Sequence, residues 1–323
     1  MKRILSGIQP SGKPHIGNYL GALRQHIALQ DEYETFIMLA DLHALTTIRD
    51  AEQMRSLTLG LARTYLALGL NPEKTVLFKQ SAVHEHAELT WIFDCITTMP
   101  FIERAHAWKD AQAKGKKEVT VGLFNYPILQ AADILLYKPD IVPVGKDQKQ
   151  HIEMSRDIAQ NFNNTFNCEV FKLPEPHIPE EVAVVPGTDG QKMSKSYNNT
   201  IEIFADDKTL KKQVMGIVTS SVPVEDPKDP NSCNVFNLYK LFATPEETKE
   251  MEDNYIKGGY GFGDAKKALL AKLLEYFGPA RERYQELSSQ DEKVREILHE
   301  STARAQKVAS ATLNEAKEKI GYK

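Results

Sequence analysis

The sequence predicts an α/β protein in which a parallel sheet with helices on both faces is followed by an all-helical region. Over the first ~185 residues, short apolar segments alternate with longer helix-like segments, which is the pattern of successive βα units. After residue 200, strand-like segments stop and only helical patterns continue. A turn rich in proline and glycine near the N-terminus also separates a strand from a helix, as in the first βα unit of such a sheet.

The first βα unit begins with the apolar segment Arg3–Ile8, which is short enough for a buried strand. The turn 10–14 contains two prolines and a glycine and therefore interrupts regular structure. Beyond the turn, Leu20, Leu23 and Ile27 occupy one face of a helix.

Further βα units follow at similar spacing. The other strand candidates are 36–40, 76–78 and 141–144, and the helix candidates are 51–68, 122–137 and a segment running through 157 and 162. Asp50 is a suitable N-cap for the first of these helices. Because ligands of an open parallel sheet bind beyond the carboxyl ends of its strands, we expect Gln9, Asp41 and Gly145, each just after a strand, to converge on one site.

The second part of the chain is predicted to be helical. Thr244 and Glu247 form a capping box around Pro245, which predicts a helix to about Lys257. Further helices are predicted at 264–277 and from Pro279 to the end. The segment 258–263 is rich in glycine and aromatic residues and is interpreted as a connector.

Composition sets limits on the class of protein. No run of ~18 apolar residues indicates a membrane span, and without a signal-like N-terminus we expect a cytoplasmic location. Cys95, Cys168 and Cys233 are too far apart for a metal-binding pair, and we expect no metal site. The net charge of −4 weighs mildly against nucleic-acid binding, although a local patch would suffice. The most basic stretch is 109–117, which is also compatible with a solvated loop.

Two polar turns carry the chemistry. In the first, His15, Gly17 and Asn18 stand at a helix start, where unpaired N–H groups suit a phosphate and a histidine can donate to a phosphoryl oxygen. In the second, residues 191–196, Lys192 and Lys195 can neutralise charge on a leaving pyrophosphate. Each turn alone is equally consistent with close helix packing or a solvated loop. Together they predict an ATP site that makes an acyl-adenylate.

These turns resemble the two signatures of class I aminoacyl-tRNA synthetases. The segments that carry this likeness are 15–18 and 192–196. The surrounding segments are more specific and resemble bacterial tryptophanyl-tRNA synthetases; they are 9–12, 17–25, 131–137 and 142–153. The resemblance extends from Ile4 to the C-terminus.

The resemblance implies a Rossmann-like catalytic domain at residues 1–190 and an all-helical region at 191–290 that holds the mobile lysine loop and reads the anticodon. A last helix at about 290–323 would pack back on the first domain. The implied reaction joins L-tryptophan to ATP, with Mg²⁺ on the triphosphate, and passes the aminoacyl group to tRNA(Trp). The implied assembly is a homodimer.

The resemblance also assigns residues to each ligand. His15, Lys192 and Lys195 are implied to be catalytic. The residues implied to bind ATP are Gln9, Pro10, Ser11, Gly17, Asn18, Gly145, Lys146, Asp147, Val184, Lys192, Met193, Ser194, Lys195 and Ser196. The residues implied to bind tryptophan are Leu5, Gln9, His43, Tyr126, Gln130, Asp133, Val144 and Gln148. Leu5 and Gln130 depart from the larger or softer groups associated with the family, which affects the shape of the ring slot.

The indole ring explains why one acidic residue is singled out. An indole offers one N–H donor and no acceptor, so its pocket needs a buried acceptor. Asp133 lies within an apolar helical run, where a buried carboxylate should be paired. Without the resemblance, a surface aspartate on that helix is the favoured interpretation.

Three alternatives remain open from the sequence. A related small-molecule adenylyltransferase shares the first turn, tyrosyl-tRNA synthetase is the nearest relative in chemistry, and an RNA-binding paralogue without activity is the non-enzymatic reading. The apolar cluster around Pro100 predicts either part of a dimer interface or completion of the first core. Its members are Trp91, Ile92, Phe93, Ile96, Met99, Phe101 and Ile102.

Overall fold

A computed structural model describes residues 1–105, 108–109, 119–145, 148–177 and 184–322 of the chain. Five strands form a parallel sheet in the order β3-β2-β1-β4-β5. They are β1 (Arg3–Ile8), β2 (Glu34–Leu39), β3 (Thr75–Lys79), β4 (Ile141–Pro143) and β5 (Glu175–His177). The first four strands confirm the sequence prediction. The fifth was not predicted, because it has three residues and a central proline, which only an edge strand tolerates.

Helices surround this sheet and continue beyond it. Those of the first part are α1 (Ile16–Asn18), α2 (Arg24–Ala28), α3 (Asp41–Ala44), α4 (Ala51–Ala67), α5 (Glu85–Asp94), α6 (Met99–Ile102), α7 (Val121–Leu135) and α8 (Lys149–Thr165). Those of the second part are α9 (Asp207–Met215), α10 (Asn234–Tyr239), α11 (Pro245–Lys257), α12 (Phe262–Ser288) and α13 (Asp291–Lys319). The predicted α/β order with a helical second part is therefore confirmed.

The two faces of the sheet are buried by different helices. Phe36 and Phe78 point into one core with α5, α7 and α8, whereas Ile37 and Leu77 point into another with α4. This alternation follows from the two-residue period of a strand. The central strand β1 lies between β2 and β4, so the strand order reverses beside it. In parallel sheets this reversal opens the crevice where ligands bind.

The predicted break at Pro279 is wrong. Helix α12 runs without interruption from Phe262 to Ser288, with Pro279 inside it. Its Phe277 is buried in one hydrophobic cluster and its Leu287 in another. Because packing anchors the helix on both sides of Pro279, the helix tolerates the loss of the backbone hydrogen bond that proline cannot make. The chain turns instead after Ser288, and the last helix starts at Asp291.

Helix α13 packs against the first part of the chain. Its Ala305 and Ala309 are buried in the core that contains β3 and α5. The Arg304 guanidinium donates to the carbonyl oxygen of Pro72 over 2.7 Å, and the Ser310 hydroxyl donates to the Glu85 carboxylate. The small alanine side chains allow this close approach of helix to sheet.

Candidate active site

A cavity of about 870 Å³ opens at the carboxyl ends of β1 and β4. Among the predicted ligand residues, those that line it are Leu5, Gln9, Gly17, His43, Tyr126, Gln130, Asp133, Val144, Gly145, Gln148, Val184, Lys192 and Met193. The strand order explains the convergence, because β1 and β4 are neighbours although they are far apart in sequence. Its wall also includes residues of both signature turns, namely Gly17, Lys192 and Met193.

Other predicted residues lie beside the cavity and not in its wall. These are Pro10, Ser11, His15, Asn18, Ser194, Lys195 and Ser196. Lys146 and Asp147 fall outside the described residues, as do Lys114, Lys116 and Lys117 of the basic stretch. The wall further contains Ser6, Gln25 and His26, which were not assigned to a ligand from the sequence.

His15 caps the short helix α1 in a reciprocal capping box. Its Nδ1 accepts from the backbone N–H of Asn18 over 3.3 Å, and the Asn18 side chain accepts from the backbone N–H of His15 over 3.2 Å. Burial, together with the charge of Lys195, lowers the pKa of His15 to about 4. The ring is therefore neutral at pH 7 and, because Nδ1 accepts, its proton resides on Nε2.

Gly17 lets the second signature turn contact the first. A Cβ atom at Gly17 would lie 3.1 Å from the His15 ring and 3.4 Å from Met193. The Gly17 N–H also points at the Met193 sulfur over 3.4 Å. A residue without a side chain at position 17 therefore allows the two turns to pack together and also leaves space for a ligand.

The lysine loop is the continuation of a tight hairpin. The Met193 N–H donates to Val185 over 2.9 Å, and the Gly187 N–H donates to Gln191 over 2.7 Å. At its far end the Lys195 ammonium donates to the carbonyl oxygen of Ser11 over 2.6 Å, so the two signature turns are joined. Burial lowers the pKa of Lys195. Lys192 reaches the cavity wall itself.

Asn199 holds this loop in place and was missed from the sequence. Its buried side chain accepts from the Ser194 N–H over 2.8 Å and donates to the Lys192 carbonyl over 3.1 Å. It also donates to the Asp189 carboxylate over 2.7 Å. Its position directly after the signature was the only available signal, and that signal does not reveal that the side chain folds back.

Asp133 belongs to the cavity wall and is buried, with 1% of its surface exposed. His43 Nε2 lies 2.7 Å from one carboxylate oxygen and His86 Nδ1 lies 2.6 Å from the other. The Gln80 amide donates to both oxygens over 2.8 and 2.9 Å. Burial alone would raise the pKa of Asp133, but the hydrogen bonds from the two histidines outweigh it and lower the pKa to about 2.

Tyr126 and Gln148 are linked through His151, which the sequence reasoning did not assign. The His151 ring bridges the Tyr126 hydroxyl and the Gln148 side-chain oxygen, each over 3.0 Å. Since the amide oxygen can only accept, Nδ1 carries a proton and donates to Gln148. Helices α7 and α8 are thereby joined at the cavity wall.

Another buried histidine contacts the central strand β1. His26 Nε2 is 2.8 Å from the Ser6 hydroxyl, and its Nδ1 is 2.8 Å from the Tyr65 hydroxyl. Burial lowers the pKa of His26 to about 4. Both Ser6 and His26 line the cavity, so this polar group supports the wall beside the first signature turn.

Two further findings concern metals and membranes. Within the described residues, no group of three or more histidine, cysteine, aspartate or glutamate side chains is arranged to hold a metal ion. In the same part of the chain, every helix is too short or too polar to cross a bilayer.

Comparison with known proteins gives consistent results. The family model of class I tRNA synthetases (W and Y) matches residues 1–278. The tryptophan–tRNA ligase of Fusobacterium nucleatum is 51% identical over 99% of this chain and 98% of its own length. That of Rhodopirellula baltica is 50% identical over 99% and 100%. A crystal structure of Campylobacter jejuni tryptophanyl-tRNA synthetase complexed with ADP and tryptophan superposes with a TM-score of 0.95, at 48% identity and 99% coverage of both chains.

Proposed function

The chain belongs to the class I tRNA synthetases (W and Y), and on that premise we propose that it is a tryptophan–tRNA ligase. It activates L-tryptophan with ATP and transfers the aminoacyl group to the 3′ end of tRNA(Trp). The observation that carries this proposal is a cavity whose wall contains both a buried acceptor, Asp133, and residues of both signature turns, Gly17, Lys192 and Met193. The C. jejuni structure is complexed with ADP and tryptophan, which supports the same pair of substrates.

The tryptophan half of the cavity selects the indole side chain by burying its ring and offering one hydrogen-bond acceptor. Asp133 accepts the indole N–H, while His43 and Val144 line the ring slot. Tyr126 and Gln148, held through His151, orient the α-ammonium group. Leu5 and Gln130 complete the slot wall. The substrate carboxylate then points toward the signature turns, where ATP binds.

The ATP half supplies position and charge and no covalent nucleophile. The substrate is ATP with Mg²⁺ on its phosphates. A carboxylate oxygen of tryptophan attacks the α-phosphorus in line, and the bond from that phosphorus to the bridging oxygen breaks to release pyrophosphate. His15 donates from Nε2 to a phosphoryl oxygen, and Lys192 and Lys195 neutralise the charge that develops on the pyrophosphate.

The remaining ATP contacts are assigned by resemblance. Asp147, with Gly145 and Lys146, binds the ribose, and the backbone near Val184 cradles adenine. Around the phosphates and adenosine we place Gln9, Pro10, Ser11, Asn18, Met193, Ser194 and Ser196. In the second step a hydroxyl of the terminal tRNA ribose attacks the adenylate carbonyl and AMP leaves.

The helical part is proposed to read the anticodon. We assign residues 191–290 to the lysine loop and this domain, and residues 1–190 together with the last helix to the catalytic domain. Because the reaction belongs to translation, we place the protein in the cytoplasm.

We further propose a homodimer, since one tRNA must reach both the cavity and an anticodon reader. Of the apolar cluster around Pro100, Ile92, Phe93 and Ile102 are buried in the first core. Trp91 and Met99 remain 67% and 59% exposed, which suits a symmetric contact. Light scattering should give a mass of twice 36.4 kDa. A monomer that stays fully active at working dilution would rule out this assembly.

The deciding experiment is exchange of pyrophosphate into ATP in the presence of each standard amino acid separately. We expect exchange with tryptophan alone. Exchange that depends on tyrosine would identify the related synthetase, and exchange without any amino acid would indicate a different adenylyltransferase. Either result would overturn the proposed function.

A further inference from the structure

The side of Asp133 that faces away from the cavity is surrounded by hydrogen-bond donors. Asp133 and His43 line the cavity, whereas Gln80 and His86 do not. Gln80 and His86 are completely buried, and both donate to the carboxylate from behind. They therefore act on any bound ligand only through Asp133.

The orientation of the Gln80 amide is determined by the backbone of α3. Its side-chain oxygen accepts from the N–H groups of Leu42 and His43 over 3.1 and 3.3 Å. A reversed amide would set its NH₂ group against these two donors and its oxygen against the carboxylate of Asp133. The amide nitrogen must consequently point at Asp133 as a donor.

The tautomer of His86 is determined by Tyr137. His86 Nε2 lies 2.9 Å from the Tyr137 hydroxyl, and the two buried rings also pack together. Burial, with the nearby charges of Asp133 and Glu85, raises the pKa of Tyr137, so its hydroxyl keeps a proton to donate. With Tyr137 donating, His86 accepts at Nε2 and carries a proton on Nδ1, which faces the acceptor-only carboxylate of Asp133.

Three donors thus occupy the carboxylate from within the protein. A carboxylate has about four acceptor sites; His43 and His86 take one each, and the Gln80 nitrogen lies within hydrogen-bond distance of both oxygens, so there is room for at most one further donor. A protonated carboxyl group would direct an O–H at one of these N–H donors and is disfavoured. A ligand in the cavity therefore contacts an ionised Asp133 carboxylate whose orientation is fixed.

We propose that Gln80 and His86 are positioning residues that hold Asp133 as an ionised acceptor with one site left for a ligand N–H, and that they thereby determine selection of an indole. This inference rests on the proposed function. The competing explanation is that the network only stabilises the fold. If the network only stabilises the fold, substituting Gln80 or His86 should weaken binding of every amino acid of similar shape. If these residues position Asp133, the substitutions should weaken binding only of ligands that present the N–H.

The test compares tryptophan with 3-(benzothiophen-3-yl)alanine, in which sulfur replaces the ring N–H, in amino-acid-dependent pyrophosphate exchange. His86→Leu removes the donor, and His86→Asn keeps an amide nitrogen near the position of Nδ1. We expect His86→Leu to raise the KM for tryptophan about tenfold and to change the KM for the analogue by less than about threefold. His86→Asn should restore most of the preference for tryptophan.

Tyr255→Phe is the matched control, because it deletes the hydroxyl of a side chain as buried as His86, and that hydroxyl contacts Cys233 and not Asp133 or the cavity wall. Its preference for tryptophan over the analogue should equal that of the wild type. Gln80→Leu is the second test variant and should reduce the preference as His86→Leu does. If both variants fail to fold, ¹⁵N NMR of the wild-type histidine rings still tests the idea, since a His86 Nδ1 without a proton would overturn it.

The outcomes separate the two proposals. A wild type without tryptophan-dependent exchange refutes the proposed function and this inference together. A wild type that exchanges with tryptophan but does not prefer it to the analogue leaves the function standing and overturns the inference. The same holds if His86→Leu and Gln80→Leu weaken both ligands equally.

Discussion

Asn199 offers a direct test of how the lysine loop is held in place. Its side chain makes hydrogen bonds to Ser194, Lys192 and Asp189, and Asn199→Ala removes all three. A buried hydrogen bond between neutral groups contributes about 1 kcal/mol, and the bond to the exposed Asp189 contributes less because water replaces it. The loss is therefore about 2 kcal/mol in the free energy that favours the observed loop position.

This loss should appear in the chemical step. If the loop must occupy this position in the transition state, about 2 kcal/mol corresponds to a roughly thirtyfold slower formation of the adenylate. Rapid-quench measurement at saturating ATP and amino acid would report that rate. Tryptophan binding should change little, because Asn199 does not line the cavity. Thermal stability should also change little, since the loop is a local element.

Two further variants sharpen the result. Asn199→Asp has the same shape and keeps an acceptor for Ser194, but it sets an oxygen against the Lys192 carbonyl and the Asp189 carboxylate. We expect it to be at least as slow as Asn199→Ala. Asn161→Ala removes a surface asparagine that bonds the Ile96 carbonyl over 2.8 Å and serves as the control. A wild-type rate in Asn199→Ala, or an equal loss in the control, would refute the reasoning.

Three more predictions concern the site and the histidines. Asp133→Ala should weaken tryptophan activation by about 1–3 kcal/mol with little effect on ATP binding, and unchanged discrimination between tryptophan and tyrosine in exchange assays would contradict it. Lys195→Ala should slow adenylate formation in single-turnover kinetics more than it weakens tryptophan binding, so a defect confined to the tryptophan KM would argue against the role given to this lysine. The folded-state pKa of His26 lies near 4, below its ordinary value of 6.5, so the unfolded chain binds more protons and the free energy of unfolding should fall as the pH drops from 6.5 through 4. Urea titrations at several pH values should show a weaker decline for His26→Leu, and an identical decline would exclude this histidine as a cause.

The sequence by itself determined the order of the elements and the ends of several helices. The Asp50 cap and the Thr244 capping box, both read from neighbouring residues, are present as predicted. The positions of four strands follow from apolar runs, and the convergence of Gln9 and Gly145 on one cavity follows from parallel pairing. Asp41 was expected to join them but does not line the cavity, and its carboxylate accepts from Ser81 instead. These features depend on residues close in sequence or on a general rule of sheet topology.

Only the tertiary structure decided which side chains support the site. Gln80 and His86 reach Asp133 across 53 and 47 residues, and no local pattern marks them as its partners. The continuous helix through Pro279 is a similar case, because packing at its two ends outweighs the local cost of proline. Contacts between distant segments depend on how whole elements pack, and the periodicity of one segment carries no information about the partner it will meet.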